Sequence, residues 1–238
     1  MRAYYTSSIP DFLNESADSI IGKITQNHPQ DVVHQQTAAW INQVSVLHSQ
    51  LHKLPNSVNS FVFFEFQIPR MGRRADVVLL HDGLIFVMEF KVGADAHNSA
   101  DIRQAHGYAL DLKNFHEASH DKKIIPLLIA TQSMKKNLVL EFAEDGVAEP
   151  ILCNFDGIAD FINSTCDELD ETDFDSKVWL KSGYKPTPSI VEAAQALYTN
   201  HQVEDISRSD AGAKNISKTS GALLSVIHKA RLNKQKTI

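Results

Sequence analysis

The chain has 238 residues, 43% hydrophobic and 22% charged, with a formal net charge of −6, the composition of an ordinary soluble globular protein with room for one sizeable domain or one domain plus an appendage. No run approaches the roughly 18 apolar residues of a membrane span, and Met-Arg-Ala-Tyr-Tyr-Thr-Ser-Ser lacks the apolar core of a signal peptide, so a cytoplasmic chain with no membrane partner is expected. Cys153 and Cys166 show no metal-ligand spacing and read as reduced thiols.

The first stretch, to about residue 54, reads as helical: Ile9-Pro10-Asp11-Phe12-Leu13 opens it, and Ala39, Trp40, Val44, Leu47 and Leu51 recur at helical intervals. Pro55-Asn56-Ser57 breaks the pattern. Phe61 to Ile68 is a predicted strand, with Phe61, Phe63, Glu65 and Gln67 on one side and Val62, Phe64, Phe66 and Ile68 on the other. Ala75 to Leu80 and Leu84 to Lys91 form a predicted hairpin around Asp82-Gly83. A helix over about Ser99 to Phe115 follows, then a buried strand, Ile124 to Ala130, whose Pro126 makes its first residues edge-like. Val147 to Cys153 gives another strand, and Asp156 is placed to cap a helix carrying Ile158, Phe161 and Ile162.

Asp167, Glu168, Asp170, Glu171, Asp173 and Asp175 read as a solvated acidic loop. Beyond it, Ser189 or Thr187 is expected to cap a helix to about Asn200. A polar tract then leads to a basic amphipathic helix that ends the chain, as a connector to something longer would. The order of elements predicts an α/β chain: a mixed central β-sheet flanked by helices. Residues 1–165 make the main domain with its N-terminal helices, and 166–238 the acidic loop and helical connector.

The chemistry concentrates in the hairpin. Residues two apart share a strand face, so Ile85, Val87, Glu89 and Lys91 point the same way. Two charges on the inner face of an apolar run cost several kcal/mol each if desolvated alone, so they need partners. Asp76 on the adjacent strand is the obvious one, and two carboxylates converging beside a lysine make a natural Mg²⁺ site. Basic groups gather at Arg70, Arg73 and Arg74, at Lys122-Lys123 and Lys135-Lys136, and from His228 to Lys236. A local nucleic-acid surface and scattered solvated charges both fit that distribution.

Asp76, twelve intervening residues and then Glu89-Phe90-Lys91 resemble the bipartite signature of PD-(D/E)xK nucleases. Gln104 and Tyr108, four apart and so on one helix face, resemble the Gln-x-x-x-Tyr element of the RecB-like branch. Over nearly its whole length the chain is also similar to an uncharacterised bacterial family with a nuclease-like N-terminal part and a helicase-like P-loop ATPase behind it. Ile68-Pro69-Arg70-Met71-Gly72-Arg73-Arg74, Glu89-Phe90-Lys91-Val92-Gly93, the stretch Tyr108 to His116, and Pro186-Thr187-Pro188 carry that likeness. In such proteins the P-loop comes after the present C-terminus, and no G-x-x-x-x-G-K-[ST] occurs here, so no ATPase activity of this chain's own is expected.

The resemblance implies a restriction-endonuclease-like core and hydrolysis of DNA, RNA not being excluded, with Mg²⁺ as cofactor and Mn²⁺ as a substitute. Asp76, Glu89 and the Phe90 carbonyl would hold the cation. Lys91 would orient or deprotonate water through a lowered pKa, and Gln104 would position water or phosphate. Tyr108 would lie beside the nucleic acid, and Arg73 and Arg74 would bind phosphate. Glu65, on a neighbouring strand, is a candidate additional ligand. The early helices offer Glu15 and Asp18, then Gln35, Gln36 and Gln43, where RecB-like nucleases often draw an extra acid. Two other readings stand beside the catalytic one: a buried salt-bridge cluster that only fixes the sheet, and a catalytically idle module that binds nucleic acid or a partner and directs the attached ATPase. The histidines, His116 and His120 among them, show no metal motif, and Trp40 and Trp179 read as core.

Overall fold

The structure is a computed structural model that describes residues 2–28, 34–55, 59–68, 72–134, 138–188 and 190–191. The last helix, the polar tract, most of the helix expected to run to Asn200, Arg70 and Lys135-Lys136 lie outside the described residues. The chain divides into two compact units, one of residues 1–142 and 146–185 and one of residues 143–145 and 186–238. The expected break after residue 165 falls inside a helix of the first unit. In the second, a helical turn opens at Pro188, where the Thr187 carbonyl accepts from the Ile190 and Val191 amides at 3.1 and 3.2 Å, as a proline in a first turn favours.

In the first unit, β1 (Tyr5–Ser8) precedes three helices, α1 (Ile9–Asn14), α2 (Ala17–Asn27) and α3 (His34–Leu51). The opening strand departs from the all-helical expectation: Tyr5, Thr6 and Ser7 favour extended backbone, and Ser8 ends the strand by capping α1, accepting from the Asp11 amide at 3.3 Å. Then come β2 (Phe61–Gln67), β3 (Arg74–His81), β4 (Leu84–Lys91), α4 (Ser99–Phe115), β5 (Ile124–Ala130), β6 (Ile151–Cys153), α5 (Ile158–Leu169) and α6 (Ser176–Lys181). They build a six-stranded mixed sheet in the order β1-β2-β3-β4-β5-β6, antiparallel as far as β4 and parallel from β4 to β6.

Helices cover both faces. Ile20, Ile24, Trp40, Leu47, Phe161 and Ile162 pack on one, while Ala109 and Leu112 of α4 and Trp179 of α6 pack on the other. Among the described residues, no helix is long and apolar enough to cross a membrane.

Local chemistry explains the elements that were not foreseen. Asp156 does not cap α5; it sits inside a 3₁₀ turn, Phe155–Gly157, and the buried Gln50 of α3 takes the capping role, its Oε1 accepting from the Ala159 amide at 3.2 Å. Asp175, read as part of a solvated loop, caps α6 through the Lys177 and Val178 amides. Pro126 lies in an inner strand. The amide and carbonyl of Ile124 both bond toward residues 146–148, so position 126 faces the same way, and pairing with β6 resumes only at Leu127↔Ile151. A residue without an N–H fits that gap.

Candidate functional site

The site forms where the sheet forks. The Asp82-Gly83 turn, with φ of 44° and 79°, closes the β3–β4 hairpin in the two-residue form its sequence favours. From there the β3–β4 ladder runs back from His81↔Leu84 and stops at Val77↔Met88. Past that point β3 stays with β2 as far as Arg74, and β4 stays with β5 as far as Lys91. Asp76 and Glu89 stand in the opening. Ile85 donates to Lys123, and the Lys91 carbonyl accepts from Thr131, so the odd positions of β4 bond toward β5 and Phe90 turns its amide and carbonyl to the fork. Asp76 Oδ2 accepts the Phe90 N–H at 2.8 Å.

Glu89 is only 4% exposed, and its Oε2 has no hydrogen-bond partner. Its Oε1 accepts from Lys91 Nζ at 3.1 Å. Lys91 Nζ also lies 3.1 Å from Gln104 Oε1 and 3.1 Å from Asp101 Oδ1, and Gln104 Nε2 donates to the Tyr108 hydroxyl at 2.8 Å. α4 supplies these partners because its apolar side, Ala105, Ala109 and Leu112, is buried against the sheet, which leaves Asp101, Gln104 and Tyr108 on an adjoining stripe. Asn98 caps the helix, accepting from the Ala100 and Asp101 amides.

Electrostatics mark the fork as short of positive charge. Burial first, then the Glu89 charge, hold the Asp76 carboxyl well above its usual range, with the Phe90 N–H acting the other way. Glu89 is raised too, by burial ahead of the opposing pull of Lys91. Lys91 departs from the expectation of a lowered pKa. Burial works to lower it, but Glu89 and Asp101 outweigh that and its pKa is raised, so it stands as a firm ammonium.

The other predicted residues divide. Arg73 spans to α4, where its guanidinium meets Asp111 Oδ2 at 3.2 Å, and its charge acts on the Tyr108 phenol. Arg74 instead lies over the Tyr4 ring, 4.5 Å from its centroid, among residues that pack with the α1–α3 face. Glu65 does not follow the predicted strand alternation: its φ is +52°, it stands between the pairs Phe64↔Val77 and Phe66↔Ala75, and its Oε1 accepts from Trp40 Nε1 at 2.8 Å. The left-handed residue puts Phe64 on one face and Phe66 on the other. Its charge still reaches Asp76 and Glu89. Glu15 is engaged by Tyr5, Ser19 and Lys23.

Asp101 and Asp111 went unnamed in the sequence reading. Their signal was helical spacing, three residues before Gln104 and three after Tyr108, on the stripe already picked out.

The donor set suits a hard divalent cation. Asp76 and Glu89 offer carboxylates, Phe90 offers a carbonyl on the same edge, and Glu89 Oε2 has no hydrogen-bond partner. No family model, curated protein or solved structure matches this chain. The chemistry therefore rests on the residues themselves.

Proposed function

We propose that this chain is a Mg²⁺-dependent deoxyribonuclease module of the PD-(D/E)xK, RecB-like type, with a restriction-endonuclease-like core, working in the cytoplasm with an attached helicase-like ATPase. One observation carries the reading: Asp76, Glu89 and the Phe90 carbonyl meet at one fork of the sheet with Lys91 and Gln104 beside them, and Glu89 Oε2 lacks a hydrogen-bond partner.

In the reaction, water adds to the phosphorus of a phosphodiester, one P–O bond to sugar breaks, and a phosphomonoester and a free hydroxyl end result. A bound Mg²⁺ or Mn²⁺ supplies charge neutralisation and an activated water, and Asp76, Glu89 and the Phe90 carbonyl would hold it. Lys91, as an ammonium, donates to a phosphate oxygen and does not act as the base. Gln104 fixes the direction of that ammonium, Tyr108 fixes Gln104, and Arg73 offers a guanidinium at the rim.

A second reading, the catalytically idle module that directs an ATPase, is favoured by one fact: Lys91 Nζ already has three acceptors at 3.1 Å. Incubating the chain with single- and double-stranded DNA, and with RNA, in Mg²⁺ or Mn²⁺ separates the two. Cation-dependent cleavage of DNA that disappears in Asp76→Ala and Lys91→Ala supports the nuclease; equal products from all three chains sink it. Binding without cleavage selects the idle module.

A further inference from the structure

At the closed end of the same hairpin lies a second cluster. A ring nitrogen of His81, a carboxylate oxygen of Asp82 and Cys166 Sγ are all within 4.8 Å of one another. Leu84 closes the hairpin and Glu89 stands five residues along β4, which at roughly 3.3 Å per residue puts the two clusters about 16 Å apart.

The His81 imidazole is fully buried, and its Nε2 has no hydrogen-bond partner, although Asp82 Oδ2 is 3.5 Å away. Its other nitrogen, Nδ1, is 2.6 Å from Ser60 Oγ. With Nδ1–H donating to that hydroxyl, the Nε2 lone pair is held toward Asp82, the arrangement that fixes a metal-binding histidine. Asp82 is partly exposed, which leaves a path from solvent. Cys166 comes from α5, and the loop after that helix presses on the hairpin turn: a Cβ added to Gly83 would lie 2.7 Å from the Thr172 carbonyl oxygen.

We propose that His81, Asp82 and Cys166 form a binding site for a thiophilic dication of the zinc class, independent of the Asp76–Glu89 fork. One neutral imidazole, one carboxylate and one thiolate balance a charge of two, and a fourth position stays open to water. Bonds of about 2.0–2.3 Å in a tetrahedron put ligand atoms roughly 3.3–3.6 Å apart. The His81–Asp82 separation of 3.5 Å already has that length, and the sulfur, within 4.8 Å of its two neighbours, has to close by at most about 1.3 Å.

Binding replaces the Cys166 S–H by S–metal and releases the proton to solvent. Burial, with Asp82 and Asp167, pushes that thiol up to about 12, so it is inert as a free nucleophile and becomes a thiolate when a cation takes the proton's place. Burial lowers the His81 pKa, against the opposing charges of Asp82 and Asp173. The ion would tie α5 to the β3–β4 hairpin.

Titrating the metal-free full chain with Co²⁺, followed by Zn²⁺ competition, tests the site. A thiolate-to-cobalt charge-transfer band should saturate at one equivalent and vanish as Zn²⁺ displaces Co²⁺. Cys166→Ser should lose the band and weaken zinc binding about a hundredfold or more. Asp82→Asn, a residue that tolerates the positive φ of the turn, should keep the band but weaken binding by about tenfold or more, near the effect of losing a supporting ligand. Asp76→Ala should leave the band unchanged. Absence of the band in the wild type, its persistence in Cys166→Ser, wild-type affinity in Asp82→Asn, or its loss in Asp76→Ala each overturns the site.

Discussion

Replacing Asp76 by Asn should make the cation-free protein more stable and the cation-loaded protein less stable, a crossing that a purely structural ion cluster does not produce. Without a cation, burial and the Glu89 charge hold the Asp76 carboxyl well above its usual range. A carboxyl with a folded pKa above its unfolded value binds more protons folded than unfolded between the two, so stability falls as pH rises through that window and the full cost remains above it. Asn keeps an acceptor for the Phe90 amide, now 2.8 Å away, and removes the charge. Relief of one largely buried, only partly compensated charge is worth on the order of 1–3 kcal/mol, and in a unit of this size each kcal/mol moves Tm by about 2–4 °C. The wild type moves the other way when cation is added: at a hundredfold excess over Kd it gains about 2.7 kcal/mol, which the variant, lacking one of two carboxylates, forgoes. Calorimetry of both chains in chelator and in excess Mg²⁺ or Mn²⁺ reads all four values. Equal gains on adding cation, or a variant less stable than wild type in chelator, refutes the account of the fork.

Lys91→Met should lower the cleavage rate by about 10²–10³-fold, as loss of one preorganised donor to developing charge does, while DNA binding by fluorescence anisotropy changes by less than about tenfold. Unchanged cleavage removes Lys91 from the mechanism. Tyr108→Phe deletes the hydroxyl that accepts from Gln104 Nε2 at 2.8 Å; at about 0.5–1.5 kcal/mol for one hydrogen bond, kcat/KM should fall roughly 2–10-fold. Away from the fork, burial and the neighbouring Arg2 guanidinium push the His116 imidazole down to about 4. His116 then binds less proton folded than unfolded between about pH 4 and 6.5, so its contribution to stability is full above that window and is lost as pH falls through it, by about 3 kcal/mol at about 1.4 kcal/mol per pH unit. Urea unfolding midpoints of the wild type and of His116→Gln across that range check it, because their difference removes the opposite slope of the raised carboxyls; a difference that is flat with pH contradicts it.

Much of the fold was legible because hydrophobic period and capping chemistry agree locally. α4 starts after the Asn98 cap and ends at Phe115 as read, and the hairpin turns at Asp82-Gly83 as read. The misses are tertiary. Nothing local tells Asp156 to give up the α5 cap; that follows from a Gln50 side chain 109 residues away in sequence. Asp175 looks like any acid in an acidic run until Ser176 to Lys181 has Trp179 to bury beside His116, with ring centroids 4.5 Å apart. The candidate site was legible as a set of residue types, since Asp76, Glu89, Lys91, Gln104 and Tyr108 fall together. Its charge balance was not, because to the pull of Glu89 on Lys91 is added that of Asp101, which comes from another element. The His81, Asp82 and Cys166 group has no spacing to read: its sulfur comes from α5, 84 residues beyond Asp82.

The fork ties these observations to one local cause. Glu65 stands opposite Asp76, between the pairs Phe64↔Val77 and Phe66↔Ala75, and takes a left-handed conformation that a non-glycine residue adopts at a cost of about 1–3 kcal/mol. That cost is tolerable because the Trp40 indole holds the carboxylate and because the flip buries Phe64 and Phe66 on opposite faces. At the same level β3 leaves β4, after Val77↔Met88. In an uninterrupted ladder the amide and carbonyl of Phe90 would both be spent on the backbone of β3. In the fork the Asp76 carboxylate takes the amide, and the Phe90 carbonyl is left on the same edge as two acids. Glu65 acts on the site from the far side of the sheet, its charge reaching Asp76 and Glu89. The two carboxylates and the Phe90 backbone share the fork, with Lys91 fixed beside them by Asp101 and Gln104.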